Sequence, residues 1–154
     1  MRSWIVINDD AKIFECAGKQ ENAISRQRNR RPIKYKIIVH TGDHARAGTD
    51  ANVSIILYGT LGDTGVRPLK QKGRNLFERA QVDEFVIECL ELGDLTKLHI
   101  EHDNAMMSPD WLLDKVEVVN MDTQETVLFP CNRWLSKKHD DGEIKRDLLP
   151  IHAP

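Results

Sequence analysis

The chain has 154 residues, of which 40% are apolar and 30% charged, and its formal net charge is -2. That length suits one ordinary domain, and the charge balance supplies no global basic footprint for nucleic-acid phosphates. No run approaches the ~18 apolar residues of a membrane span, and the N-terminus lacks the charged-then-apolar order of a secretory signal.

Cys16, Cys89 and Cys131 are odd in number, far apart and without CxxC spacing. They argue against a disulfide framework or a structural zinc site and fit a reducing, intracellular setting.

Residues 1–32 hold one short apolar run, Trp4 to Ile7, followed by polar sequence that turns basic at Arg26, Arg28, Arg30 and Arg31. This stretch is expected to be a linker or an appended hairpin. Its basic run is a solvated face or, near an anionic lipid surface, a source of about 1 kcal/mol of attraction per residue.

From residue 33 the pattern becomes that of β structure. Tyr35, Ile37 and Val39 alternate with Lys36, Ile38 and His40, and Val53, Ile55 and Leu57 with Ser54, Ile56 and Tyr58. This is the period of two that one buried strand face produces. Between these strands, the loop from Thr41 to Asn52 is rich in oxygen ligands: Thr41, Asp43, Thr49 and Asp50. Gly42 and Gly48 are expected to supply positive φ angles in it.

Further along, GTLGDTG at 59–65 is a turn cluster. Alternation then resumes at Phe85 and Ile87, at Leu95, Leu98 and Ile100, at Val116 and Val118, at Val127 and Phe129, and over Ile144 to Leu149. About eight strands and no long helix-period segment predict an antiparallel β-sandwich, with short helical turns expected near residues 76–80 and 132–136. Phe85, Leu98, Trp111, Val116, Phe129 and Trp134 are expected inside.

The order of short motifs goes beyond generic β structure. TGD at 41–43, AGTDANV at 47–53, LYG at 57–59, HDN at 102–104, PDW at 109–111, DKV at 114–116, FPCNRWL at 129–135 and DDGEI at 140–144 together resemble a PLAT domain, the module of polycystins, lipoxygenases and alpha-toxins. The likeness extends over 33–150, leaving 1–32 as the appended segment and 151–154 as a tail. It is nearest to the repeats of a tandem PLAT scaffold of hair-cell stereocilia, so that the chain resembles one piece of a longer array.

The resemblance implies a PLAT/C2-like sandwich of two four-stranded sheets. It also implies docking to an anionic membrane surface or a membrane-associated protein, on the cytoplasmic side of the plasma membrane, often aided by Ca2+. One calcium site is implied at a loop end, with the Gly48 carbonyl, the Asp50 and Asp110 carboxylates and the Trp111 carbonyl as ligands, and with Asp103 and Asn104 as weaker candidates. Acidic residues beside Gly or Pro also stabilise turns without any cation. In a calcium-independent version, the same domain is a protein-interaction repeat.

Where some relatives bind a second calcium, this chain reads LKQKGRNL at 69–76, with Lys70, Lys72 and Arg74 in place of carboxylates, so a second site is not expected. Trp111 and Trp134 are expected to pack in the core, as large rings at such positions do. Met106 and Met107 sit in the loop between HDN and PDW and are candidates for insertion into lipid or a partner's groove.

No catalytic constellation emerges. His102-Asp103 and His139-Asp140 are adjacent pairs without an elbow-like nucleophile, the histidines lack metal-ligand spacing, and no small-molecule substrate is implied. Lipoxygenases, which the domain resembles only in this module, carry their iron in a separate helical domain.

Overall fold

The computed structural model describes residues 30–151. The chain separates into two units, Met1–Arg31 and Pro32–Pro154, and the fold below is that of the second. Trp4 to Ile7, Cys16, Arg26, Arg28 and residues 152–154 lie outside the described residues.

Nine strands follow in order: β1 (Pro32–Thr41), β2 (Val53–Gly59), β3 (Gly62–Asp63), β4 (Arg67–Pro68), β5 (Val82–Leu90), β6 (Leu95–His102), β7 (Trp111–Asn120), β8 (Thr126–Leu135) and β9 (Lys145–Leu148). One antiparallel sheet runs β5-β1-β7-β8 and the other β3-β2-β6-β9, with β4 also on β2. The all-β sandwich read from alternation is therefore present, and among the described residues there is no helix.

The second sheet departs from the expected four strands in one detail. Its fourth position is filled by two fragments, β3 opposite Tyr58 and Gly59 and β4 opposite Ser54 and Ile55. Thr64 bridges them, its amide donating to Leu57 O at 3.0 Å and its Oγ1 accepting from Leu57 N at 3.0 Å. Gly65, at φ 65°, then turns the chain out of the ladder.

The inward faces carry Tyr35, Ile37, Val39, Phe85, Val116, Val118 and Phe129 from one sheet and Ile55, Leu57, Leu98, Ile100 and Leu148 from the other, all buried. Each such side chain contributes about 1.5–3 kcal/mol through removal from water. The inward phase of β7 slips midway: Trp111 and Leu113 face in, then Val116 and Val118. The slip is a bulge, because β7 passes from Leu113 opposite Arg133 to Lys115 opposite Pro130, leaving two residues of β8 against Asp114.

Three expectations are corrected. Trp134 is half-buried on the outer face, opposite Leu112, while Leu135 opposite Trp111 takes the inward place. Its ring stacks on His139 at 4.6 Å and meets His44 edge-on at 6.0 Å. Neither expected helical turn forms: residues 132–135 belong to β8, and Phe77 and Ala80 hold φ of 60° and 59°, in the left-handed region that interrupts a right-handed turn. Gly42 and Gly48 do not take positive φ; within their loop that conformation falls to Arg46 at 62°. Gly48 is instead a close-approach glycine, since a Cβ there would lie 2.9 Å from Phe77 O and 3.0 Å from Glu78 Cα.

At the margin of the first sheet, β5 offers nine residues of strand edge. Side chains from the other sheet's side reach across it, Arg67 Nη1 donating to Glu88 O at 3.0 Å and Gln71 Nε2 donating to Glu84 O.

Candidate functional site

Antiparallel wiring brings four loops to one end of the sandwich: 42–52, 69–81, 103–110 and 136–144. The first and third are stitched together. Thr49 Oγ1 donates to Pro109 O at 2.6 Å and accepts from Ala51 N at 3.1 Å, Asp50 N donates to Ser108 O at 3.1 Å, and Leu112 N donates to Ala47 O at 2.9 Å. Thr41 and Thr49, candidates for cation binding by composition, are both buried and spend their hydroxyls on structure; Thr41 Oγ1 accepts from Trp111 Nε1 at 3.0 Å.

Phe77 joins the second loop to the same assembly. Its ring packs between Phe85 and Trp111 at centroid distances of 5.8 and 5.2 Å, its carbonyl accepts from Thr49 N at 3.0 Å, and its amide donates to the buried Asp83 carboxylate at 2.8 Å. His102 holds the third loop, with Nε2 2.8 Å from Leu135 O and Nδ1 accepting from Asn104 N at 2.9 Å, which specifies the neutral tautomer protonated on Nε2.

These contacts leave a recess of about 730 Å³ lined by Gly48, Asp50 and Asp110, by Asn104, Met106 and Met107, and by basic residues from the neighbouring loops. Trp111 is fully buried and, with Asp103, does not line it. Asp103 accepts from the Asn52 amide at 3.0 Å, from Asn52 Nδ2 at 2.7 Å and from Ala105 N at 3.1 Å. The bonds from Asn52, its side chain foremost, hold the Asp103 carboxyl below the usual carboxylate range. It works as a loop clamp.

Asp110 accepts from Ser136 Oγ at 2.7 Å on Oδ1 and has His139 Nε2 3.8 Å from Oδ2. Asp50 is exposed. Hard oxygens of the kind calcium prefers are therefore present on one recess, yet among the described residues no group of three or more His, Cys, Asp or Glu side chains stands close enough to hold a metal ion.

Met106 is 70% and Met107 97% exposed, on a loop where Asn104 and Met106 hold left-handed φ of 57° and 68°. Such a backbone costs energy that the surrounding structure must offset. Sequence reasoning missed Glu78, Arg46, Lys137 and Lys138 in the same recess. Only the topology brings them there, although the Lys137-Lys138 doublet beside DDGEI was visible.

A second concentration of charge lies where β9 meets β6 and β8. His99 places Nδ1 2.7 Å from Asp147 Oδ1 and Nε2 2.7 Å from Glu101 Oε1. Burial alone would lower its pKa, but the bonds to Glu101 and Asp147 outweigh that and raise it. Arg146, 8% exposed in its side chain, donates to both Asp141 oxygens at 2.7 and 2.9 Å and to Trp134 O at 2.7 Å. Arg133 donates to Asp140 Oδ1 at 2.6 Å. The Arg146 and Arg133 bonds hold the Asp141 and Asp140 carboxyls well below their usual range.

Sandwich topology and loop geometry define a C2-like β module. The PLAT/LH2 domain model matches residues 35–148, and the chain belongs to that family. It is 49% identical over 139 residues to human lipoxygenase homology domain-containing protein 1, covering 90% of this chain and 7% of that protein. Against human polycystin-1-like protein 3 the identity is 36% over 118 residues, covering 76% of this chain and 7% of the relative. The chain thus spans under a tenth of the length of these curated relatives.

Among solved structures, a coral 8R-lipoxygenase, described as activated by calcium through a C2-like domain, superposes with a TM-score of 0.67 at 27% identity. The match covers 76% of this chain and 17% of that one.

Proposed function

We propose that this domain is a non-catalytic PLAT module that binds one calcium ion at its loop end and docks a larger protein to an anionic membrane or a membrane-associated partner. The observation that supports this most is the stitching of the 47–51 and 108–110 segments through Thr49 and Asp50, which sets Gly48, Asp50 and Asp110 on one recess. The calcium activation described for the coral lipoxygenase's C2-like domain adds weight. Calcium would draw on the Gly48 carbonyl and the two carboxylates, with water completing its ~6–8 oxygens.

Few carboxylates converge, so the dissociation constant is expected on the order of 10⁻⁵ to 10⁻³ M. The similarity to lipoxygenase homology domain-containing protein 1 supports placement as one repeat of a tandem scaffold, cytoplasmic and peripheral to the plasma membrane, as in a stereocilium.

A calcium-independent protein-interaction repeat is the second reading. It is favoured by the partners that Asp103 and Asp110 already have in Asn52 and Ser136. Melting temperature followed through a calcium titration separates the two. Calcium at 100 times its dissociation constant adds about 2.7 kcal/mol to the folded state, and Asp110→Ala should abolish the gain. An unchanged wild-type melting temperature in millimolar calcium rejects the calcium reading.

A further inference from the structure

Several basic side chains on this domain are held in ion pairs. Lys36 pairs with Glu84, Arg79 with Asp43, Arg133 with Asp140 and Arg146 with Asp141. At the loop end, Arg46, Lys70, Lys72, Arg74, Lys137 and Lys138 are all exposed, and none of them has a carboxylate partner among the described residues. Lys70, Lys72 and Arg74 line a groove of about 500 Å³, and the other three line the recess that holds Met106 and Met107. The two hollows adjoin, since Asp50 and Glu78 line both. Six unpaired cations there face three carboxylates, Asp50, Glu78 and Asp110, in a chain whose net charge is -2.

We infer that these six cations form a calcium-independent attachment to anionic lipid bilayers, flanking the two exposed methionines at the loop end. The inference rests on the membrane-docking reading of that end but not on its calcium. Unpaired ammonium and guanidinium groups gain most from a surface of negative headgroups, because no internal ion pair has to be broken first. A bilayer also supplies an apolar layer beneath its charge, which suits Met107 at 97% exposure and the left-handed backbone that presents Met106. A soluble polyanion offers the charge without that layer. Cation binding at Asp50 would then add to an existing attraction by removing negative charge from the divide between the two hollows.

Co-sedimentation of the full 154-residue chain with phosphatidylserine vesicles in EGTA tests this. Binding is expected without calcium, absent from phosphatidylcholine vesicles, and lost near 1 M salt, where the Debye length falls to about 3 Å. Lys70→Gln, Lys72→Gln, Arg74→Gln together should weaken it on the order of a hundredfold, and Met106→Ser, Met107→Ser should weaken it further. Because all these side chains are exposed, the variants should melt as the wild type does.

Binding that requires calcium, or that survives the triple substitution, overturns the inference. So does capture of polyglutamate or heparin without any of the vesicles, which assigns the patch to a soluble polyanion. The calcium reading stands or falls separately, on the melting-temperature titration.

Discussion

Two regions of the domain are rich in acidic groups and use them in opposite ways. Along the β9 margin, Asp140, Asp141, Asp147 and Glu101 are matched to Arg133, Arg146 and His99 at hydrogen-bonding distances. At the loop end Asp50 and Glu78 are exposed, and Arg46, Lys137 and Lys138 line the same recess without closing on them. Saturated charge ties strands together and has little left for a ligand. Unsaturated charge adds little to stability but keeps donors and acceptors free for something outside the chain.

The largest way to break this contrast is Phe77→Ala. It removes the ring joining the 69–81 loop to Phe85 and Trp111, so a loss of about 3–5 kcal/mol is expected in urea unfolding. If the loop end is a unit, any calcium-induced rise in melting temperature should vanish with it while the β9 margin persists in the remaining folded protein.

Arg146→Ala attacks the other side. It deletes a nearly buried guanidinium and its bond to the Trp134 carbonyl, for an expected cost of about 2 kcal/mol, and should leave vesicle binding intact. A loss of vesicle binding in that variant would show that the two regions are not independent.

Smaller still is the contribution of His99. Its folded pKa is raised, so the stability it supplies is fully present below the unfolded value of about 6.5 and is lost as pH rises through the folded value. Both its carboxylate partners are substantially exposed, which keeps the effect under about 1 kcal/mol. Urea unfolding between acidic and mildly alkaline pH should show this decline, and His99→Gln should flatten it. The smallest effect belongs to Asp50→Ala, expected within about 0.5 kcal/mol of wild type in EGTA. A clearly destabilised Asp50→Ala protein would mean that the loop end is built for structure after all.

Much of the fold was legible because one-sided burial writes itself into alternation, as in Tyr35, Ile37 and Val39 of β1. Alternation fails where a bulge resets its phase. The slip around Asp114 shows only as a spacing of three between Leu113 and Val116, and its counterpart in β8 accompanies the outward turn of Trp134. The missed helical turn at 76–80 has another cause: nothing in the residue types Phe77 and Ala80 announces a left-handed backbone, which the buried Asp83 and the core contacts of Phe77 impose.

At the loop end, Gly48, Asp50, Asp110, Asn104 and the two methionines could be named from motif likeness, and they do share a recess. Glu78, Arg46 and the 137–138 lysines could not. Their meeting depends on four loops distant in sequence, and no local pattern carries that information.

The cover over the β5 edge also bears on how such domains survive crowding. A nine-residue edge strand is a template on which a neighbouring chain can add a strand of its own. Arg67 and Gln71 occupy the carbonyls of Glu88 and Glu84 with side chains, and one of them brings a positive charge to the border. With those two carbonyls already taken and a guanidinium at the border, the β5 edge is a poorer template for a strand from another chain.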